Sequence, residues 1–131
     1  MYTEEVREFL QRKLLARMSV VDFDGYPHTV PVSFIMDGDD VIITTVRNTR
    51  KVHYIRRNSK GAVTIGGESS EGAGYLLKGK FSLEEDPGLE WLKRTAYHYG
   101  EGERAERTIA EFSQKDMIIM RFRVLRVIKV L

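Results

Sequence analysis

The sequence predicts an α+β domain, mainly β, in which an antiparallel sheet rolls into a barrel flanked by helices. Three observations carry this. Six runs have strand character, several of them joined by short turns rich in glycine and aspartate. Segments with helical spacing stand between and around those runs. No internal repeat or linker divides the 131 residues, so one domain spans 1–131.

The elements follow in order. Thr3, ahead of Glu4 and Glu5, supplies an N-cap and acids for a first turn. Val6, Phe9, Leu10 and Leu14 share one helical face, which predicts a helix running to about Arg17. MSVVDFDGYPHTVPVSFIM is two strands around Asp24-Gly25. Pro31 donates no ladder hydrogen bond and places the second strand at an edge or irregularity. Asp37-Gly38-Asp39-Asp40 turns into a third strand, VIITTV, so the first three strands read as a meander. Thr49 then opens a helix of about ten residues with Val52 and Ile55 on its buried side. GAVTIGG is the fourth strand, GGESSEGAG a loop, and YLLKGKFSLEE the fifth strand. Asp86-Pro87 opens a helical stretch with Leu89, Trp91, Leu92 and Tyr97, in which Trp91 reads as core. GEGE interrupts it, and a second helix covers about Arg104 to Phe112. The closing run, MIIMRFRVLRVIKVL, loses strict alternation after Arg123, which predicts a bulge there.

Composition excludes several chemistries. The chain has no cysteine, so disulfides, zinc–thiolate sites, iron–sulfur clusters and thiol catalysis are ruled out. Its three histidines, His28, His53 and His98, are scattered, and no metal site is expected. No run approaches the roughly twenty apolar residues of a membrane span. YTEEVREFLQRK lacks the apolar stretch of a signal peptide, which makes the cytoplasm the expected compartment.

Charge is unevenly placed. The formal net charge is +2, yet Arg47 to Lys60 carries six cations and no acid, leaving −4 for the rest. The cluster sits where the third strand hands over to its helix. Helix starts present free N–H groups and a partial positive charge, and phosphate binds them well. Arg50 and Lys51 in the first turn repel that dipole by about 0.3–1 kcal/mol unless an anion offsets them. Arg grips phosphate through paired N–H bonds, and Thr44 and Thr45 add hydroxyls. Three readings stand: a solvated basic helix, a phosphate pocket, or a nucleic-acid patch using His53 and Tyr54 as stacking groups. The last is disfavoured, because a single basic helix is not a wide basic face.

The ordered set D-x-D-G-x-P, P-V-S-F, the T-T strand end, T-R-K and I-R-R-N resembles the pyridoxamine 5'-phosphate oxidase-like split β-barrels, which bind FMN or a deazaflavin coenzyme. The likeness continues from Tyr75 through the Trp91 helix to the last strand. It implies a six-stranded antiparallel split barrel, working as a homodimer with the cofactor in a groove between subunits. On this sequence it implies that Arg50 and Lys51 hold the cofactor phosphate, with Arg47, Thr45 and Thr49 assisting. Pro31, Val32 and Ser33 run beside the flavin ring, and Thr44 meets the ribityl chain or phosphate. Val30 stands where the vitamin-phosphate oxidases have an arginine, and the C-terminal segment of those enzymes has no counterpart here. Activity on pyridoxamine phosphate is therefore not expected. FMN is the first expectation and 8-hydroxy-5-deazaflavin coenzyme the second, for which Arg56, Arg57 and Lys60 offer a basic track.

The resemblance implies an oxidoreductase that passes hydride or electrons through the ring to an unidentified small molecule. The rival is a flavin- or haem-binding module without turnover. No catalytic acid or base is nominated. Glu84, Glu85 and Asp86 read as a solvated turn. Gly72-Ala73-Gly74 and Gly100-Glu101-Gly102 lack a dinucleotide-fold setting, and Ser69-Ser70 lacks that of a hydrolase nucleophile. His28 and His98 read first as surface or packing residues.

Overall fold

The computed structural model describes residues 1–131. Seven strands form one antiparallel sheet: β1 (Ala16–Val21), β2 (Pro27–Val32), β3 (Ile35–Asp37), β4 (Asp40–Val46), β5 (Lys60–Gly66), β6 (Gly74–Glu84) and β7 (Met117–Lys129). Four helices accompany them: α1 (Glu4–Leu10), α2 (Arg50–Arg57), α3 (Glu90–Tyr99) and α4 (Gly102–Phe112). Short 3-10 turns precede β6 and α3.

The strand order is β2-β1-β5-β6-β7-β4-β3, so β2 and β3 lie at opposite edges of the sheet. Only Ser33 and Phe34 separate them in sequence. Laid flat, seven strands put their outer members about 29 Å apart, whereas this link reaches about 11 Å. The sheet therefore has to roll until its edges meet. No ladder joins β2 to β3, so the barrel is closed by the chain and split along that seam.

This corrects two expectations. The expected second strand is two strands, broken at Ser33–Phe34, giving seven in place of six. The expected meander is two separate hairpins, β1–β2 and β3–β4, on opposite edges. Pro31 does lie on an edge strand. Helix α1 is also shorter than its periodicity predicts. Thr3 caps it, accepting from the Val6 N–H at 3.2 Å, but it stops at Leu10. Ala16 and Arg17 are already paired in β1, so Leu14 enters the core from the connecting turn.

The hairpin turns follow the sequence. Asp22 accepts from the N–H groups of Asp24 and Tyr26, and Gly25 takes the positive φ that the turn needs. In β7 the pairing with β6 shifts at Leu125, the bulge that the broken alternation predicts. Gly79 faces it, and a Cβ there would lie 2.0 Å from the Arg123 carbonyl oxygen.

Phe34, Ile43, Val63, Leu77, Met120 and Phe122 belong to one core inside the barrel, and α2 closes an end of it with Val52 and Ile55. Ile42, Ile119, Leu92 and Ala96 are buried but outside that core; α3 packs over β3 and β4 on the outer surface. Asp86 anchors α3, accepting from the N–H groups of Trp91 (3.0 Å) and Leu92 (3.1 Å). The three acids expected as a solvated turn are thus all engaged, since Glu84 pairs with Arg121 and Glu85 with Arg47. Trp91, expected in the core, is half-buried with Arg94 stacked on it.

Tyr99 at the end of α3 pins the seam. Its hydroxyl donates to the Leu14 carbonyl (2.5 Å), with the Phe34 carbonyl as a second acceptor, and receives the Phe34 N–H at 3.2 Å. Burial raises its pKa, partly offset by the Phe34 backbone, so the donor proton is retained. We expect Tyr99→Phe to cost about 1–3 kcal/mol, because it strips a partner from the Leu14 carbonyl and from the Phe34 N–H and carbonyl. Urea unfolding reads the change.

The outer face of β5–β7 has an opposite character. Lys60 pairs with Lys80, Lys80 with Arg123, and Lys78 with Arg126, all exposed and none in an ion pair. Like charges directly opposite each other are destabilising, by about 0.2–1 kcal/mol per pair. Lys80→Glu should accordingly raise the unfolding free energy by about 0.5–1 kcal/mol at low salt, with the gain fading as salt is added. Unfolding at two ionic strengths checks this.

Candidate functional site

The seam leaves an opening at one end. β3 is three residues long and pairs only with Asp40, Val41 and Ile42 of β4. Thr44, Thr45 and Val46 continue past it, held by β7 on one side only. Pro31, Val32 and Ser33 approach from the end of β2. Between these strand ends, the start of α2 and the α3–α4 pair lies a cleft of about 490 Å³. Small-molecule sites span about 300–1,000 Å³.

Seven of the nine residues nominated from sequence line this cleft: Pro31, Val32, Ser33, Thr44, Thr45, Thr49 and Lys51. Arg47 and Arg50 do not. The Arg47 guanidinium turns to Glu85 (2.6 Å) and Asp116 (3.0 Å), and Arg50 is exposed at the mouth of the helix. Of the two first-turn cations, Lys51 alone reaches the interior of the cleft.

Thr49 departs from its expected role. It occupies the N-cap position, but its hydroxyl donates to the Val46 carbonyl at 3.0 Å and no side chain caps α2. The first-turn N–H groups are left for another acceptor. No acid stands in that turn either. Lys51 is half-buried without a carboxylate in any ion pair, and burial lowers its pKa from the ordinary 10.5. A cation desolvated without a counter-charge is a candidate for meeting an anion.

The helical wall was not read from the sequence. Thr95, Ala96, Tyr99 and Gly100 come from the end of α3, and Arg104, Thr108 and Phe112 from α4. The last three recur every fourth residue, which puts them on one helix face. That spacing was visible, but nothing in a single sequence says that the face turns toward the strand ends. Leu92 and Met117 complete an apolar part of the lining. The cleft thus holds two cations, Lys51 and Arg104, several hydroxyls, an apolar wall and no aspartate or glutamate. It suits a ligand with an anionic head and an apolar body.

None of the three histidines lines it. His28 stacks edge-on with Tyr54, His53 bonds Asn48, and His98 approaches the Arg12 carbonyl. No cluster of groups suited to a metal ion occurs, and no helix is long and apolar enough to cross a membrane.

Comparison with known structures places the architecture. An F420 reductase superposes with a TM-score of 0.78 at 18% identity, covering 97% of this chain and 98% of its own. HutZ, the haem storage protein of Vibrio cholerae, gives 0.75 at 14% identity, covering 98% and 94%. General Stress Protein 26 of Bacillus anthracis gives 0.72 at 16%, covering 97% and 92%. At these identities the likeness concerns the fold. Comparison with the curated proteins gives no match. The family model for pyridoxamine 5'-phosphate oxidase matches residues 2–129, taking in every strand, all four helices and the whole lining of the cleft. By sequence pattern and by its split, edge-joined sheet, the chain belongs to the pyridoxamine 5'-phosphate oxidase family.

Proposed function

We propose that the chain is an oxidoreductase that holds FMN in the seam cleft. The observation that carries this reading is the pairing of an acid-free lining with Lys51, a half-buried, unpaired cation beside the uncapped start of α2. A phosphate dianion there meets one ammonium and the first-turn N–H groups, with Thr44 and Thr45 alongside. Pro31–Ser33 offers strand-end backbone to the polar rim of a ring, and the α3–α4 wall with Met117 offers apolar surface to its face. Bound flavin supplies hydride or electron transfer; the chain orients it and limits access of water.

The deazaflavin coenzyme is the second reading. Arg56, Arg57 and Lys60 lie exposed beyond the cleft and outside every ion pair, as an acidic tail requires. A haem-binding module is less well supported, because the cleft lacks a histidine to ligate iron. The proposal also sets a second copy against the open side of the seam, making the working form a homodimer, and its site of action the cytoplasm.

The visible spectrum of concentrated protein, with mass analysis of what is released on denaturation, identifies the cofactor directly. A colourless protein that also fails to quench added FMN overturns the reading. Light scattering that returns a monomer for cofactor-loaded protein removes the dimer.

Lys51→Gln is expected to weaken FMN about 10- to 100-fold, the loss of one charge-assisted contact. Arg50→Gln, outside the lining, should change it only a few-fold and in a salt-dependent way. Equal losses at the two positions would put the phosphate at the mouth of the helix instead.

Affinity should also fall as pH rises through the lowered pKa of Lys51. The free protein sheds that proton below 10.5, while the phosphate-bound form keeps it, so binding takes up a proton across this window. FMN titrations at a series of alkaline pH values test the sign; an affinity that stays flat or rises there contradicts it.

A further inference from the structure

The wide basic face that α2 alone does not provide is present elsewhere on the barrel. β6 is the middle strand of the seven, so in the closed sheet it lies across the barrel from the β2–β3 seam. On its outer side Lys80 stands between Lys60 of β5 and Arg123 of β7, in one row across three strands. Two residues along β6, about 7 Å away, Lys78 pairs with Arg126. All five cations are exposed. The three strands contain a single acid, Glu84, and Arg121 takes it up. Nothing within the chain offsets the repulsion between the rows.

The face has shape as well as charge. Its three lysines line a shallow hollow of about 390 Å³. The floor is the paired Gly61 and Gly79 with Ala62, so peptide surface lies open there. Leu125, set out of register by the bulge, gives an apolar rim. Three residues before Lys60, and within about 11 Å of it along the backbone, Arg57 lies over the Phe23 ring, 5.4 Å from its centroid. Phe23 is 54% exposed, and Tyr26 in the same β1–β2 turn is 69% exposed.

We propose that the outer face of β5–β7 binds single-stranded nucleic acid without regard to base sequence. The cation rows meet successive phosphates, and the aromatic turn beside Lys60 stacks on bases. The outer surface of a barrel is convex. A stiff duplex touches such a surface at few phosphates, whereas a flexible strand bends over it. A membrane is met through apolar side chains that sink among the headgroups, and the rows hold only Leu125. A second copy would set these cations against themselves, and the proposed dimer uses the seam on the other side. The inference is independent of what the cleft holds.

The test titrates the full chain into fluorescein-labelled oligothymidylate and oligouridylate, reading anisotropy over a series of salt concentrations. Dissociation constants of about 1–100 μM are expected near physiological salt. The logarithm of affinity should fall against that of salt with a slope of about −2 to −3.5, as for three to five neutralised phosphates. Lys80→Glu should make that slope shallower by at least about 0.7 and weaken binding at least about fivefold. Because this change relieves repulsion, its unfolding free energy should not fall, so the loss reports the contact and not the fold. Should stability fall nonetheless, Lys78→Gln with Arg126→Gln repeats the test on the second row. Lys93→Glu makes the same charge change at an exposed position of α3 and should keep affinity within about twofold. Phe23→Ala should weaken binding at least about fivefold.

Failure of the parent to bind either strand overturns the inference, as do equal losses in Lys80→Glu and Lys93→Glu, which would reflect net charge alone. Tighter binding to a duplex or to phosphatidylserine vesicles overturns it in favour of those partners. Unchanged affinity in Phe23→Ala, or displacement of the strand by polyglutamate of equal charge, removes the case for a polymer that carries bases. A change of light-scattering mass in Lys80→Glu would make the face an interface between copies instead.

Discussion

The structure depends on a link of two residues. Ser33 and Phe34 join strands at opposite edges of a seven-stranded sheet, so the sheet closes or the chain cannot be continuous. Phe34, fully buried, is the wedge inside the closure, and the Tyr99 hydroxyl ties its backbone to the Leu14 carbonyl. The closing strands are held by covalent connection and side-chain pinning instead of a ladder. That leaves strand-edge groups at the join without partners, and such groups need water or a ligand. The cleft is a consequence of how the barrel closes. A short β3 makes it, because Thr44–Val46 at the far end of β4 from the turn outrun their partner.

Electrostatics follows the same division. Where the fold needs rigidity, cations are neutralised. Burial pulls the Arg121 pKa down, and the hydrogen bonds its guanidinium donates to Asp37, Glu84 and Asp40 more than reverse this, tying the ends of β3, β4 and β6 to β7. Arg47 similarly fastens the end of β4 to Glu85 and Asp116, with the Glu85 hydrogen bond the larger influence on its raised pKa. Around the cleft and across the outer face of β5–β7, cations go unpaired. A net charge of +2 conceals both arrangements. Sequence totals average over groups that the fold separates, and only local counter-charge decides whether a cation braces the chain or attracts an anion.

Most secondary structure was legible because it rests on short-range causes. The Asp22–Tyr26 turn, the Thr3 cap, the buried Val52 and Ile55 and the bulge at Leu125 each follow from residues within a few positions of one another. The misreadings share the opposite cause. Leu14 continues the periodicity of α1, yet pairing of Ala16 and Arg17 with two other strands ends the helix first. Arg47 lies among the basic residues in sequence, but acids 38 and 69 positions away claim it. Asp86 looks like one acid of three at a turn, and only the return of α3 makes it a buried cap.

By itself the sequence determined the four helices, the strands apart from the break in the second, the family pattern and the strand ends and helix start that form one side of the cleft. Those depend on hydrophobic period, turn chemistry and a contiguous motif. Tertiary structure alone decided that the second strand breaks to join opposite edges, that Lys51 and not Arg50 faces inward, and that α4 brings Arg104 to the opposite wall. Its cationic outer face, assembled from three strands, was equally invisible in linear order. Each of these is set by which distant segments share a side of the sheet, and a one-dimensional pattern does not contain that information.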